Sequence, residues 1–375
     1  MRYRRMYRRA QLLDGGDEMK KLWVYVCICV LLSNMISVTV LAEPAGDFRY
    51  EVLENGTARI TAYSGSQTAV TIPSVINGYA VTAIGDQAFY ACSSLKSVTI
   101  PSGVTSIGDG AFQYCMMLQD VTIPNSVVSI GSNAFSRCSS LQSIVIPSGV
   151  SEIKDNTFSN CESLRSVTIP KGVMSIGGWA FYYCISLQSV TLPEGVENIG
   201  CSVFAYCTSL ERIAIPSSVT TIGQGAFLYC RLLRDITIPK GMSHIENNTF
   251  SYCESLRNIT IPNSVESIGE YAFYNCQLEN VYYDSSEEEW NRIVIGDANT
   301  VLTAAVIHYR DASALQGDLD ANGILDTTDA RCILRVTAGV TALPDEQMRI
   351  ADMNEDGEIN TSDVRCLLLM IVITA

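Results

Sequence analysis

The stretch that decides the fold is LKSVTIPSGVTSIGDGAFQYCMM, residues 95–117, which returns with little change every 23 residues. Later copies open at Leu118, Leu141, Leu164, Leu187, Leu210, Leu233 and Leu256, and cysteines keep the same spacing at Cys92, Cys115, Cys138, Cys161, Cys184, Cys207, Cys230, Cys253 and Cys276. A fixed period of this length is typical of a solenoid, in which each unit is too small to fold alone. The sequence therefore predicts a β-rich solenoid built from 23-residue coils.

Each repeat contains two predicted short strands. In Val98-Thr99-Ile100 apolar residues alternate with threonine, as a strand with one buried face requires. Pro101 ends this strand, because proline has no N–H to donate to a neighbouring coil. A second extended piece directs Val104 and Ile107 inward, and Gly108 permits the turn that follows.

The end of the repeat is predicted to form one helical turn, because Ala111, Phe112 and Cys115 place apolar side chains at i, i+1 and i+4. Stacked strands lie about 4.8 Å apart, so we expect Phe over Phe and Cys over Cys in continuous inner ladders. The pattern LxxVxIPxxVxxIGxxAFxxCxx resembles the BspA-like leucine-rich repeats of bacterial surface antigens. That resemblance implies a leucine-rich-repeat solenoid that presents a long binding surface.

Two repeats depart from the pattern together. They replace Gly-x-x-Ala-Phe by KDNTF at 154–158 and by ENNTF at 246–250. The two repeats are four repeats apart, which indicates that a block of four was duplicated. The pattern suggests no chemistry.

The chain has 375 residues, a length that favours more than one domain. Its formal net charge of −14 makes nucleic acid an unsuitable partner. Residues 1–18 are predicted to be an untranslated upstream extension, because the codons for 15–18 would resemble a bacterial ribosome-binding site ahead of Met19. Residues 19–42 are predicted to be a signal peptide, with Lys20-Lys21 ahead of an apolar run and cleavage after Ala42. A retained membrane anchor is the alternative, since the apolar run is long.

The remaining chain divides into four predicted segments. They are an N-terminal cap and irregular first repeat (43–94), an array of eight repeats (95–277), a C-terminal cap (278–311) and a second module (312–375). Asn55-Gly56 predicts a hairpin within the first segment. Glu287 is expected to open a short helix, and 306–309 to form a final strand.

Two segments, DLDANGILDTTD (318–329) and DMNEDGEINTSD (352–363), have the spacing of calcium loops. Oxygen side chains stand at loop positions 1, 3, 5, 9 and 12, and a glycine at position 6 permits the sharp turn. Calcium is a hard cation that prefers such ligands. The predicted ligands are Asp318, Asp320, Asn322, the Ile324 carbonyl, Asp326 and Asp329, and Asp352, Asn354, Asp356, the Glu358 carbonyl, Asn360 and Asp363. We therefore expect two structural calcium ions.

Both loops have aspartate at position 12, no clear helix before them and a helix after them. That combination resembles the type I dockerin, a small all-α calcium-binding module that docks proteins onto cohesin domains of cellulosome scaffolds. The resemblance implies cohesin contacts at loop positions 10 and 11 and in the middle of the first helix, at Thr327, Thr328, Thr361, Ser362 and Arg335. The resemblance also implies docking in two orientations, and because Leu369 stands at the position equivalent to Arg335, the two are expected to differ in strength. Two structural calcium sites without a partner are the alternative.

The nine ladder cysteines are predicted to be buried free thiols, since their Cβ atoms run parallel, whereas a disulfide needs Cβ atoms that face each other. Bridged pairs are the alternative in a secreted protein. Cys201 occupies a turn position and is expected to be accessible. With two isolated histidines, His244 and His308, and no zinc spacing or paired carboxylates, we expect no catalytic site.

A tyrosine precedes the ladder cysteine in five coils, at Tyr114, Tyr183, Tyr206, Tyr229 and Tyr252. We call these residues the tyrosine stripe. Such a stripe can bind a polysaccharide or a protein, or it can pack between coils and cover the turn. The outward threonines of the strands are interpreted as a β-propensity ladder.

The sequence as a whole predicts a secreted, non-catalytic binding protein. Its solenoid would present a ligand-binding surface, and its dockerin would carry it to a cohesin-bearing scaffold in an extracellular cellulosome or on the cell surface. One alternative is an enzyme or enzyme inhibitor in polysaccharide degradation that is delivered by the same dockerin. Another is a cell-surface adhesin whose target binds the solenoid directly.

Overall fold

The computed structural model describes residues 46–309, 317, 319, 327–339, 343, 348, 350–354 and 357–374. The strands are β1 (Phe48–Val52), β2 (Ala58–Tyr63), β3 (Ala69–Thr71), β4 (Val75–Ile76), β5 (Tyr79–Ile84), β6 (Ser97–Thr99), β7 (Ser106–Ile107), β8 (Asp120–Thr122), β9 (Ser129–Ile130), β10 (Ser143–Val145), β11 (Glu152–Ile153), β12 (Ser166–Thr168), β13 (Ser175–Ile176), β14 (Ser189–Thr191), β15 (Asn198–Ile199), β16 (Arg212–Ala214), β17 (Thr221–Ile222), β18 (Asp235–Thr237), β19 (His244–Ile245), β20 (Asn258–Ile261), β21 (Ser267–Ile268), β22 (Asn280–Tyr283), β23 (Val294–Ile295) and β24 (Val306–Tyr309). The helices are α1 (Glu287–Trp290), α2 (Thr300–Ala304), α3 (Thr327–Thr337) and α4 (Thr361–Thr374).

Each regular coil has three sides. The first side carries the three-residue strand, the second carries the two-residue strand, and the third is the turn segment that contains the Ala-Phe pair and the ladder cysteine. Equivalent strands of most successive coils pair in parallel, so that β6 meets β8 with Val98 opposite Val121 and Thr99 opposite Thr122. The threonines point outward and the valines inward, which confirms the predicted alternation.

Phenylalanine rings form the centre of the solenoid. Eight successive pairs from Phe89 to Phe273 have ring centroids 4.9–5.6 Å apart and interplanar angles of 3–18°. At the N-terminal end Tyr63 stacks on Phe89 at 5.2 Å and closes the column. The predicted ladder of Phe over Phe is therefore confirmed. Its phenylalanines are among the largest fully buried side chains, and burial of apolar area is the main source of stability.

The predicted helical turn at the end of each repeat is wrong. The N–H groups of Gly110, Phe112 and Tyr114 donate to carbonyls of the next coil at 2.8–2.9 Å, whereas the residues between them bond within their own coil. This alternation needs a left-handed backbone at two positions per coil, with φ of 59° at Gly110 and 64° at Tyr114. A helix would satisfy all these N–H groups locally. Here the carbonyls of the next coil lie within reach and replace the helical partners.

Both ends of the solenoid are closed by irregular elements. β1 and β2 form the predicted antiparallel hairpin around Asn55-Gly56, and β2 then pairs in parallel with β5. At the other end β22 and β24 extend the first side, and α1 begins at Glu287 behind the N-cap Ser286, as predicted. The second helix, α2, was not predicted from the sequence. Among the residues that the structure describes, no helix is long and apolar enough to cross a membrane.

The ladder cysteines line the core beside the phenylalanine column. From Cys115 onward, each Sγ–H donates to the carbonyl of the phenylalanine 26 residues earlier, at 3.1–3.3 Å. The twelve cysteines in the described residues are all unbridged. Burial is confirmed for eight of the nine ladder cysteines, whereas Cys92 is only half-buried, because the irregular coil before it contributes no cysteine to cover it. Cys201 is exposed, as predicted.

These thiols should make the solenoid sensitive to alkaline pH. Burial raises the pKa of Cys184 from 9.0 to about 12, and the same cause raises the pKa of its ladder neighbours. A folded-state pKa above the unfolded one means stability that is complete below pH 9 and lost as the pH rises through the folded-state value. We expect the free energy of unfolding to fall between pH 9 and 12. In Cys184→Ala the pH dependence of the free energy of unfolding should correspond to one proton fewer released on unfolding. An unchanged pH dependence would show that this thiol does not titrate on unfolding.

Candidate calcium site and partner surface

The two aspartates at loop position 12 have matching environments. Asp329 and Asp363 lie in the first turns of α3 and α4, and both are fully buried. Leu319 N donates to Asp329 Oδ1 at 2.8 Å, and Met353 N donates to Asp363 Oδ1 at 2.9 Å. Leu319 and Met353 both occupy loop position 2. The two halves of the module therefore share one arrangement. In each, the backbone N–H at loop position 2 donates to the carboxylate at loop position 12.

The second loop wraps further around Asp363. Its Oδ1 also accepts from Asn354 N at 3.3 Å, and its Oδ2 accepts from Asn360 N at 2.8 Å. Asp352, at loop position 1, accepts through Oδ2 from Gly357 N at 2.8 Å. Gly357 has φ of 86°, which explains the glycine at loop position 6. These bonds hold the carboxylates at positions 1 and 12 within the same loop.

The residues present suit a calcium ion. The predicted donors are all oxygens, and a buried carboxylate that keeps its charge needs a positive partner as well as hydrogen bonds. Asp329, Asp352, Asn354, Glu358, Asn360 and Asp363 lie in the described part of the module, whereas Asp318, Asp320, Asn322, Ile324, Asp326 and Asp356 lie outside it. The described residues alone contain no cluster of three or more His, Cys, Asp or Glu side chains. The full ligand set therefore stays a prediction, in which bound calcium would supply the positive charge that the loops lack.

The helices that follow the loops pack on each other through a small core. Among the described residues of the module, its buried members are Leu319, Ala330, Ile333, Ala351, Val364 and Leu367. The expectation of no helix before either loop is wrong for the second loop, because Met348, Ile350 and Ala351 are helical and Asp352 N donates to Met348 O at 3.2 Å. The polar run Asp345-Glu346-Gln347 and the few apolar residues after it gave too weak a helical period to be recognised.

The predicted partner residues are exposed at equivalent places. Thr327 and Thr328 open α3, and Thr361 and Ser362 open α4. Arg335 is exposed on α3, and Leu369, its equivalent, is 62% exposed. The sequence analysis missed Leu334 and Leu368, which are also exposed and stand 34 residues apart, as the two loops do. That spacing was the signal that could have found them.

Most of the tyrosine stripe forms one stack. Tyr206 and Tyr229 have ring centroids 4.7 Å apart at 12°, and Tyr229 and Tyr252 are 4.2 Å apart at 6°. Tyr183 joins the stack at 5.9 Å with a tilt of 42°. A hydrogen bond with Tyr229 raises the pKa of the Tyr252 hydroxyl. Tyr114 stands apart from this stack and lies under the Arg137 guanidinium at 5.2 Å.

The stack limits what the stripe can bind. Tyr229 has a stacked ring on each side, so both of its faces are covered and its edges and hydroxyl remain available. Tyr206 has Tyr229 stacked on one face and the tilted ring of Tyr183 beside the other. A free face belongs to the end of the stack, where Tyr183 is 37% exposed and Trp179 of the same coil is 44% exposed. The geometry favours the alternative in which the tyrosines pack between coils. A ligand would reach the stripe only at the ends of the stack and at the edges of the rings.

Comparison with protein families identifies both parts of the chain. The profile described as the BspA type leucine rich repeat region matches residues 61–188 and 174–297 in six copies, well over half of the chain. The profile of the dockerin type I domain matches residues 316–370. No functionally curated protein matches the chain significantly.

Several solved structures resemble the solenoid. A leucine-rich repeat protein from Bacteroides ovatus is 29% identical over 68% of this chain and 67% of its own, with a TM-score of 0.52. The T. pallidum leucine rich repeat protein is 38% identical over 51% of this chain and 89% of its own, with a TM-score of 0.49. A leucine rich cell surface protein from Faecalibacterium prausnitzii is 29% identical over 68% of this chain and 97% of its own, with a TM-score of 0.34.

The two matched modules have known general properties. Leucine-rich repeats and dockerins are non-catalytic binding modules, and both are typical of extracellular or surface proteins. Type I dockerins bind calcium and dock onto cohesin domains. The module at 316–370 therefore accounts for the loop spacing and for the repeated aspartate arrangement.

Proposed function

Because the chain belongs to the BspA-type leucine-rich-repeat family and ends in a type I dockerin domain, we propose that it is a secreted, non-catalytic binding protein that is attached to a cohesin-bearing scaffold. The solenoid presents a ligand-binding surface, and the dockerin, held by two calcium ions, docks it in a cellulosome or at the cell surface. The observation that carries this proposal is the repeated arrangement in which Asp329 and Asp363 each accept from loop position 2.

A binding role fits the domain composition of the described chain. Residues 46–309 are taken up by the solenoid and its two caps, so this part of the chain leaves no segment for a catalytic fold. An enzyme delivered by the same dockerin would need such a segment. The solenoid ligand is proposed to be a polysaccharide or a protein that contacts the exposed edges of the tyrosine stripe.

The paired contact positions predict docking in two orientations. A half-turn of the module would bring Thr361-Ser362 close to where Thr327-Thr328 had been, and only the first half supplies Arg335. Replacing Thr361-Ser362 by arginines should therefore weaken cohesin binding about threefold or less, and replacing Thr327-Thr328 should weaken it about tenfold. Replacing both pairs should abolish binding, with a loss larger than the sum of the single effects.

The measurement is titration calorimetry of the full chain and its variants against cohesins from the same bacterium. Ser189→Arg/Thr191→Arg on the solenoid is the matched control for added charge, since β14 is far from the dockerin in sequence. Loss of all binding with either single pair would disprove two orientations. Unchanged binding when both pairs are replaced would place the cohesin contact elsewhere.

A further inference from the structure

Both parallel sheets of the solenoid are interrupted at the same two places. On the first side the paired strands are β3-β6-β8, then β10-β12-β14-β16, then β18-β20-β22-β24. On the second side they are β1-β2-β5-β7-β9, then β11-β13-β15-β17, then β19-β21-β23. The breaks fall before the coil that opens at Leu141 and before the coil that opens at Leu233. We call them the first and second junctions.

Backbone hydrogen bonds next to the second-side strands are also missing at the two junctions of the described solenoid. At the other second-side junctions of the array, the residue at the position of Met174 donates to the preceding coil, as Met174 N does to Ser151 O at 3.0 Å. The residue at the position of Gly177 also donates there, as Gly177 N does to Ile153 O at 2.7 Å. Within residues 46–309, all of them described, neither bond is formed by the equivalent residues of the two junctions, which are Ser151 and Lys154, and Ser243 and Glu246.

The two departing repeats supply the cause. Lys154 and Glu246 stand where the other regular coils have glycine. A Cβ added at Gly200 or Gly223 would lie 2.6 Å from a backbone nitrogen of the preceding coil, which is closer than real Cβ atoms approach. A side chain at this position is therefore incompatible with the close approach of the two coils on the second side. Thr157 and Thr249 compensate locally, since their hydroxyls donate to Lys154 O and Glu246 O at 2.7 Å.

The third side stays closed at both junctions. Phe135 N donates to Thr157 O and Phe227 N donates to Thr249 O, each at 2.9 Å. The phenylalanine column also continues, with Phe135 and Phe158 at 5.6 Å and Phe227 and Phe250 at 5.4 Å. Each junction is thus bonded along one side and unpaired along the strands of the other two, which is the arrangement of a hinge.

We propose that the coils containing Lys154 and Glu246 are two hinges that divide the solenoid into three segments and let its curvature change. Opening occurs on the two sheet sides, and the turn side acts as the pivot. The binding surface of the solenoid is therefore adjustable at two fixed places, four coils apart, and the duplication of the four-repeat block copied the hinge with it.

The tyrosine stack makes the pivot side of the second hinge stiffer than that of the first. Tyr229 and Tyr252 belong to the coils on either side of the second junction and form the closest ring pair of the stack, at 4.2 Å. At the first junction the equivalent residues are Arg137 and Asn160, which cannot form a ring stack. The second junction also keeps a 3.4 Å bond from Arg234 N to Glu211 O, whereas no equivalent bond joins Gln142 to Gln119 in this fully described region.

Residue-resolved amide hydrogen exchange of the full chain tests the hinges. We expect the amides of Gln142, Ser151 and Lys154 to exchange about tenfold or more faster than Glu211, Glu197 and Gly200, their equivalents within a closed segment. Restoring the common repeat with Lys154→Gly/Thr157→Ala should slow exchange at Ser151 and at Gln142 on the other sheet side, because the whole junction closes. Lys171→Gly, at an exposed position, is the control. If only residue 154 changes, the substitution acts locally and the hinge is disproved.

A second pair of variants tests the clamp, by which we mean the stacked pair Tyr229 and Tyr252, without changing Glu246. Asparagine already occupies the stripe position in coils such as that of Asn160, with φ of 59°, so it suits this left-handed backbone. Tyr252→Asn should therefore fold and should raise exchange at Ser243 and Glu246 several-fold. Tyr206→Asn, inside a closed segment, should leave exchange at Glu197 and Gly200 unchanged. Equal effects of the two variants at their own junctions would overturn the proposed clamp.

Discussion

Removing calcium is expected to unfold the C-terminal module while the solenoid stays folded. Among the described residues of the module, six apolar side chains are buried in its core. A module of about 60 residues has too small a core to offset the entropy of ordering the chain. Asp329 and Asp363 are fully buried, and burial of a charged carboxylate is costly, so a bound cation nearby would stabilise the folded module. In such modules the free energy of metal binding is folding free energy. The amides of α3 and α4 should lose their protection after chelation and regain it when calcium is added.

Single substitutions test the two predicted calcium sites independently. Asp329→Ala and Asp363→Ala should each remove one calcium ion from the stoichiometry measured by calorimetry, and Asp318→Ala and Asp352→Ala should do the same. Asp120→Ala, at an exposed position of the solenoid, is the matched control and should leave the stoichiometry at two ions. Protection of α3 and α4 that survives chelation would show that the module folds without calcium.

Phe181→Ala is expected to cost about 3–5 kcal/mol of unfolding free energy, the range for deletion of a buried aromatic ring. Phe181 is fully buried between Phe158 and Phe204, with ring centroids at 5.5 and 5.6 Å. In a solenoid each coil contacts only its neighbours, so one missing ring weakens two interfaces at once. The measurement is denaturant unfolding followed by circular dichroism.

The control for the phenylalanine column is Thr191→Ala, which removes an outward side chain in the following coil. An exposed substitution of this kind should stay within about 0.5 kcal/mol of wild type. A loss below about 1 kcal/mol for Phe181→Ala would mean that neighbouring coils collapse into the space and that the column is not the main source of stability.

The period of the sequence predicted the coil, its strands and its inner ladders, because these depend on side chains that repeat at the same place. It did not predict the turn. Ala111, Phe112 and Cys115 fit a helical spacing, but the carbonyls of the next coil capture the N–H groups of alternate residues. That competition depends on the distance between coils, which no single repeat contains. For the same reason the effect of Lys154 on the sheets was not foreseen: the missing glycine matters only where another backbone lies against it.

Loop spacing predicted the calcium site, since the positions of Asp352, Gly357 and Asp363 follow from the chemistry of a hard cation and of a sharp turn. The winding of the second loop around Asp363 required the structure, because it depends on which backbone N–H groups turn inward. The tyrosine stripe was visible in the sequence, but the covering of its ring faces was not. Ring stacking depends on how the rings of neighbouring coils meet, as Tyr206, Tyr229 and Tyr252 do.

The measurement that tests the proposed function most directly is the binding of the full chain to cohesins from the same bacterium, with calcium and after chelation. We expect one cohesin to bind per chain in calcium, no binding in chelator, and full recovery when calcium is restored. Cohesin binding that is unaffected by chelation would contradict calcium-dependent docking. Failure of every cohesin of that bacterium to bind the calcium-loaded chain would contradict attachment to a scaffold.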